Sequence, residues 1–339
     1  MLGFLANVIE QLDVALEHLT KCDANNARFG LMLTDNIVEL MLHQIAKDKK
    51  NELKMFSYMR EEFKHTAALE KALGRPFESK VKFAKVLGTF LDEIAESISI
   101  LHSLRNEVYH VGVQHEAVLP TLAIFYFKIA CDFLRNYSPQ GLGWGSNQRL
   151  PERAKKFFSG HSSFPGTTEQ YQLACVSLGE AAGHVPSSIA AVLSQHMATV
   201  VEQQDVYIDL TATGGPFQTS RDQSIIDSQA WPLAFSEEGR KFTRESGWPG
   251  GSVLDHVVWI GQNYPLKFRQ DPIPAWRKQV ESLRREKNPH RALKKYHTFM
   301  DQTAEIREKL EDAARQVDAY IEEQIEHHLL RKHFPNLPR

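Results

Sequence analysis

A short stretch in the first half of the chain, LHSLRNEVYHVG at residues 101–112, combines three side chains with useful chemistry. Arg105 can hold a phosphate through two parallel hydrogen bonds, and an imidazole such as that of His110 transfers protons near neutral pH. The amide of Asn106 can orient a bound group. We therefore predict that Arg105, Asn106 and His110 form a catalytic site.

RNA cleavage is the reaction that these three groups suit best. The 2'-hydroxyl of RNA attacks its own phosphodiester, so a protein must take a proton from that oxygen, give one to the leaving 5'-oxygen and stabilise the charge on the phosphate. A histidine and an arginine can do this without a cofactor, and we expect none. The alternative is a plain helix end, in which His110 caps carbonyl groups or lies at the surface.

The catalytic interpretation requires a local change in helix geometry. Arg105 and His110 are five residues apart, which corresponds to a rotation of about 140° around a continuous helix. Asn106 and the nearby Gly112 favour a loosened helix at this point. A slight kink would then let the three side chains converge on one spot.

The elements that must position the motif are helices. Apolar residues recur at helical spacing through the first 137 residues, and five helices with short connections predict an antiparallel bundle. The third predicted helix covers residues 51–73, the fourth runs from about residue 79 to the motif, and the fifth covers residues 118–137. The second is expected to bury a stripe formed by Phe29, Leu33, Ile37, Leu40, Met41 and Ile45.

The bundle of residues 1–137, with SLRNEVYHVG after its long fourth helix and an apolar fifth helix closing it, resembles the HEPN superfamily (higher eukaryotes and prokaryotes nucleotide-binding domain). The family signature is an Arg, often followed by Asn, Asp or His, with a His a few residues further on. Arg105, Asn106 and His110 match it. The resemblance implies a metal-independent endoribonuclease, commonly a toxin or antiviral effector, whose composite active site forms when two such domains pair.

The resemblance also implies partners. These are RNA, a second copy of the chain in a homodimer, and an antitoxin or another defence-system protein. One subgroup of the family is adenylylated on a Tyr at the position that Gly112 occupies here, so this modification is not expected. The alternative function is a non-catalytic helical adaptor that binds nucleotide or a protein partner, with Arg105 only neutralising a phosphate.

The rest of the chain is predicted to be mostly helical but rich in loops. Gly, Pro and Ser recur through residues 138–168, which we interpret as a linker. Residues 169–273 are expected to mix helices with a long polar loop over residues 211–252, and residues 274–339 to form a basic and then acidic helical segment. The predicted fold class is therefore all-α, a HEPN-like antiparallel bundle followed by a helical, loop-rich region that ends in a long helix.

The last segment has two features of its own. Apolar residues from Tyr296 to Tyr320 follow steps of three and four, which predicts a seam that docks either on this chain or on a second copy. The basic part can bind RNA through its phosphates, or it can be a solvated face attracted to the acidic part. The predicted RNA-binding residues are Arg277, Lys278, Arg284, Arg285, Lys287, Arg291, Lys294 and Lys295.

Composition limits the class of protein. A net charge of -2, with 42% hydrophobic and 24% charged residues, is ordinary for a globular chain. Three widely spaced cysteines argue against a disulfide framework, and the sequence has neither a basic leader nor a long apolar run. We therefore expect a cytoplasmic location and no membrane partner.

Two further motifs do not support a site. The histidines of EHHLLRKH at residues 326–333 lack the spacing of metal ligands on a helix, so no metal is expected. TGGP at residues 213–216 lacks the lysine and the glycine spacing of a phosphate-binding loop. We interpret these motifs as a polar helix end and a turn.

Overall fold

The computed structural model shows an all-α protein, as predicted. Every regular element in its described part is helical, and none of the described helices is both long and apolar enough to cross a membrane. The side chains of residues 108–110 and 331 lie outside the description. The described residues are 1–55, 63–110, 116–145, 148–160, 165–183 and 188–333.

The chain divides into two compact units. Unit 1 comprises Met1–Leu193 and Glu286–Lys294, and unit 2 comprises Ser194–Arg285 and Lys295–Arg339. The helices of the long first segment of unit 1 are α1 (Leu2–Leu19), α2 (Ala24–Met55), α3 (Thr66–Ala72), α4 (Phe77–Val86), α5 (Asp92–His110), α6 (Leu119–Arg135) and α7 (Thr168–Ala181).

Helix α2 is the centre of the bundle in unit 1, because it packs against α1, α3, α4, α5 and α6. Its buried face includes Leu31, Val38 and Leu42, at helical spacing. The predicted stripe is wrong in part, since Phe29 is 54% exposed and Leu40 is 38% exposed. A polar residue that shares the buried face of Leu31, Val38 and Leu42 therefore lies within the core.

The predicted long fourth helix is wrong, because α4 and α5 are separate helices. Gly88 has φ +71°, a left-handed conformation that glycine adopts without steric cost. Its N–H donates to Lys85 O at 2.9 Å, and the N–H of Thr89 donates to Ala84 O at 3.0 Å. These two bonds form a Schellman motif, which ends α4 and frees α5 to begin at a new angle.

The predicted third helix is wrong in its bounds. Helix α2 continues to Met55, residues 63–65 are not helical, and α3 covers only Thr66–Ala72. Residues 56–62 lie outside the described part. The spacing of apolar residues does not show where these helices end, because apolar residues continue at helical spacing past the helix ends.

The segment predicted as a linker, residues 138–168, belongs to unit 1. The 3-10 turn Ala154–Lys156 begins beside Arg153, which donates to Asp13 Oδ2 of α1 at 3.2 Å. Ala154 and Phe158 are buried. This part of the segment therefore packs against the bundle.

The predicted long polar loop over residues 211–252 is wrong. Two helices, α9 (Arg221–Phe235) and α10 (Glu237–Glu245), occupy most of it. Serines cap both: the side chain of Ser220 accepts from Gln223 N at 3.1 Å, and that of Ser236 accepts from Gly239 N at 2.9 Å. Helix α10 is almost entirely polar. Its sequence therefore lacks the regularly spaced apolar residues that would predict a helix.

The remaining helices are α8 (Ile189–Thr213), α11 (Val253–Asn263), α12 (Ile273–Arg284) and α13 (Pro289–His333). Helices α8 and α13 each begin in unit 1 and continue into unit 2. The predicted seam on α13 is buried in this chain at Phe299, Ile306 and Leu310, among others. Further along, Ile325 and Leu329 are 54% and 48% exposed.

Candidate active site at the end of α5

Helix α5 remains helical through Arg105, Asn106 and His110. The predicted loosening at Asn106 is therefore wrong, and Gly112 lies outside the described residues. Five positions on a regular helix correspond to a rotation of about 140°. Positions 105 and 110 thus lie on different faces of one helix. The side chain of His110 is outside the description.

A fully buried carboxylate, Asp35 of α2, is the centre of a polar cluster around Arg105. The Nε of Arg105 donates to Asp35 Oδ2 at 2.8 Å, and its Nη2 also lies 2.8 Å from that oxygen. The hydroxyl of Tyr126 donates to Asp35 Oδ1 at 2.9 Å, and His102 Nδ1 lies 3.0 Å from it. These partners offset the energetic cost of burying the charge of Asp35.

Two aromatic side chains hold this cluster in place. Tyr126 is completely buried, and both its burial and the nearby charge of Asp35 raise its pKa well above the usual value. The phenol therefore stays protonated and keeps donating to the carboxylate. The ring of Phe77 stacks on His102, with centroids 3.7 Å apart and planes 2° from parallel. The orientation of the imidazole is fixed by this stacking and by Asp35.

Arg105 extends from the buried carboxylate toward solvent. Its side chain is 26% exposed, whereas that of Asp35 is fully buried. Its Nη1 donates to Asn106 Oδ1 at 2.8 Å. A guanidinium has more N–H groups than these contacts engage. Arg105 can therefore donate to a phosphate while Asp35 fixes the plane of the guanidinium.

Asp35 and Tyr126 were not among the residues predicted from the sequence. The available signal was a charged residue at the same helical spacing as Leu31, Val38 and Leu42. The predicted stripe placed the inner face of α2 incorrectly, so Asp35 did not stand out as a polar residue in the core. A correctly phased stripe would have identified it.

Residues 286–294 of unit 1 cover the first half of α5. Glu93 accepts from Asn288 Nδ2 at 2.8 Å and from Arg291 Nε at 2.9 Å. The hydroxyl of Ser97 lies 2.8 Å from His290 Nδ1. This side of the first half of α5 is therefore occupied by contacts within the chain.

The eight predicted RNA-binding residues are all exposed, but they are divided between the two units. Several have acidic partners, which reduces the charge that they offer to a phosphate. By contrast, no ion pair among the described residues involves Lys278, Arg285 or Lys287. These acidic partners include Asp205 for Arg277 at 2.6 Å, Glu281 for Arg284 at 2.6 Å, Glu93 for Arg291 at 2.9 Å and Glu96 for Lys294 at 2.7 Å.

Charge reversal tests whether this basic stretch binds RNA. Changing Arg284, Arg285 and Lys287 to Glu is expected to weaken RNA binding and to lower the slope of log K against log salt by about 2 to 3, because about one counterion is released per phosphate contact. Filter binding at several salt concentrations measures both quantities.

The matched control reverses the same number of exposed cations outside the predicted residues, at Lys82, Lys241 and Arg244. It changes the net charge equally and is expected to leave the salt slope near that of the native chain. Equal effects of the two triple variants would show that only the overall charge matters and would refute a role for the basic stretch.

The histidine-rich motif of residues 326–333 lies at the end of α13. His327 is 61% exposed in its side chain, and its Nε2 lies 4.0 Å from Glu323 Oε1. Across the described ranges, no group of three or more His, Cys, Asp and Glu side chains is placed to hold a metal ion.

Comparison of the chain with protein-family models, with curated proteins and with solved structures gave no match. The cluster around Arg105 and the sequence motif are therefore the features that point to a function.

Proposed function

We propose that this protein is a metal-independent endoribonuclease whose active site is built from Arg105, Asn106 and His110. The observation that carries the proposal is the anchoring of Arg105. A fully buried carboxylate fixes the guanidinium on the helix that also carries His110, and 26% of the arginine side chain remains exposed. A donor whose orientation is set in advance stabilises transition-state charge without reorganisation during the reaction.

Each group has a role in the proposed reaction. The 2'-oxygen of RNA forms a bond to the adjacent phosphorus, and the bond from that phosphorus to the 5'-oxygen breaks. A base removes the proton of the 2'-hydroxyl, and an acid protonates the leaving 5'-oxygen; His110 supplies one of these two proton transfers. Arg105 stabilises the charge on the phosphate oxygens, and Asn106 orients the guanidinium through its bond to Nη1. The products end in a 2',3'-cyclic phosphate and a 5'-hydroxyl.

The geometry of α5 supports a composite site between two copies. Because positions 105 and 110 lie on different faces of a regular helix, two-fold pairing of two α5 helices is the simplest way to bring an Arg105 and a His110 to one phosphate. Residues 286–294 cover the first half of α5. We therefore propose a homodimer that pairs through the region around residues 94–118, which includes the second half of α5.

The proposal includes a cellular role as a toxin or antiviral effector. Uncontrolled cleavage of RNA would harm the cell that makes the enzyme. Control by an antitoxin or by another defence-system protein is therefore part of the proposal, and RNA and a second copy of the chain are its other partners.

Purified protein incubated with total tRNA and with mRNA tests the activity. We expect cleavage that is unchanged by EDTA, with 2',3'-cyclic phosphate at the new ends, because no metal activates the nucleophile. Cleavage that stops when EDTA is added, or products that end in a 3'-hydroxyl, would contradict the mechanism.

The second candidate is a non-catalytic helical adaptor, and one observation favours it. The charge of Arg105 is already paired with Asp35, as in a purely structural cluster. The adaptor would bind nucleotide or a protein partner at this surface without cutting RNA. A dimeric native chain, freed of bound inhibitors, that binds RNA but cleaves none would favour the adaptor.

A further inference from the structure

Unit 2 contains a cavity that the proposed ribonuclease does not use. It has a volume of about 760 Å³ and is lined by residues of α8, α9, α11 and α13 and by the segment that follows α8. This volume is typical of sites for small molecules. All its lining residues belong to unit 2.

Aromatic rings form much of the apolar wall. Phe217 is 81% exposed, Phe235 is 52% exposed and Trp231 is 42% exposed. The rings of Trp231 and Phe235 stack, with centroids 6.2 Å apart and planes 16° from parallel. Several large apolar side chains that share one exposed concave surface are characteristic of a binding site.

The polar wall presents hydrogen-bond acceptors. The hydroxyls of Ser224 and Ser228 donate to the backbone carbonyls of Arg221 and Ile225, each at 2.9 Å. The hydroxyl of Thr211 likewise donates to a carbonyl of its own helix, at 2.9 Å. Because their protons are engaged, these three side chains can only accept from a ligand.

Asp227 adds a negative charge to the same wall. Its Oδ1 accepts from Gln223 Nε2 at 2.8 Å, and no Lys, Arg or His in the described ranges forms an ion pair with it. Burial raises the pKa of this carboxyl above its usual value, as expected for a carboxylate that lacks a cation. A cationic ligand would supply the missing partner.

The other charged residues that line the cavity are already neutralised. Lys309 Nζ donates to Glu305 Oε1 at 2.6 Å, and Asp312 accepts from Arg315 Nη2. Asp227 therefore determines which charge the cavity favours.

We propose that this cavity binds a small organic ammonium ion that carries an apolar or aromatic group. The ammonium N–H groups donate to Asp227 and to the acceptor hydroxyls, and the charge lies near the faces of Trp231 and Phe235. The apolar group covers the remaining exposed wall. This binding site is independent of the ribonuclease proposal, because none of its residues belongs to the cluster around Arg105.

Three probes that differ mainly in charge test the proposal: phenethylammonium, phenethyl alcohol and phenylacetate. Ligand-observed NMR and calorimetry on the full chain measure their binding. We expect phenethylammonium to bind roughly tenfold or more tightly than either of the others, because only it can pair with a carboxylate and with aromatic faces.

Two substitutions locate the binding. Asp227→Asn and Trp231→Ala are each expected to weaken phenethylammonium binding by roughly tenfold. Asp318→Asn removes the same charge from an exposed position of α13 outside the lining and should leave binding unchanged. Circular dichroism confirms that each variant is folded.

Three results would overturn the proposal. They are the absence of phenethylammonium binding at millimolar concentration, phenylacetate binding as tight as that of phenethylammonium, and full retention of binding in Asp227→Asn.

Discussion

Replacing His110 with alanine is expected to slow RNA cleavage by about 10²- to 10⁴-fold while RNA binding changes little, because proton transfer by a positioned side chain contributes about this factor. Arg105→Lys is expected to lose RNA cleavage as well. Lysine keeps the positive charge but lacks the planar fork that contacts Asp35 and a phosphate together. Single-turnover cleavage and filter binding measure the two effects separately.

His327→Ala is the matched control for the loss of an imidazole, since His327 is an exposed histidine of α13. It should cleave RNA at the native rate. If His110→Ala cleaves as fast as this control, the proposed role of His110 is wrong.

Replacing Asp35 with alanine is expected to lower the free energy of unfolding by about 3 to 5 kcal/mol. The loss is large because the substitution leaves Arg105 without its counterion and the buried hydroxyl of Tyr126 without its acceptor. Urea denaturation measures it. Asp132→Ala, which removes an exposed carboxylate of α6, should change stability by less than about 0.5 kcal/mol.

A double-mutant cycle isolates the pair itself. If Asp35 anchors Arg105, the stability changes of Asp35→Ala and Arg105→Ala will not add, and the interaction energy will be about 1 to 3 kcal/mol. Additive changes, or an Asp35→Ala variant as stable as Asp132→Ala, would refute the anchoring on which the proposed site depends.

Asp35→Asn separates positioning from stability. It preserves the shape of the side chain but removes the charge that fixes the guanidinium. If Asp35 positions Arg105 for the reaction, the folded fraction of this variant will cleave RNA more slowly than the folded native chain. An unchanged rate per folded molecule would limit Asp35 to a structural role.

The helical class could be predicted from the sequence because apolar spacing reports burial directly. The limits of the helices were less predictable. Gly88 ends α4 through its left-handed backbone, yet apolar residues continue at helical spacing on both sides of it. Helix α10 buries only Gly239 and Thr243, so its polar sequence resembles a loop. Caps at the helix ends define these elements, and the spacing of apolar residues does not show where the caps lie.

The motif residues could be found from their types, but their surroundings could not. The sequence predicts that Arg105 binds a phosphate, whereas its partner Asp35 is 70 residues away in the sequence. Only the packing of α2 against α5 and α6 brings Asp35 together with Arg105 and Tyr126. Helix α5 also stays regular through residue 110, although the residue types of Asn106 and Gly112 favour a break there.

The central claim is that this chain cuts RNA through attack by the 2'-hydroxyl, and one measurement tests it most directly. An RNA oligonucleotide that the native chain cuts at a mapped site is compared, in EDTA, with the same oligonucleotide carrying deoxyribose at the nucleotide 5' to that bond. We predict that the ribose substrate is cut and that the substituted substrate stays intact at that position while it binds equally well. Cleavage of both substrates at the same bond would contradict the mechanism.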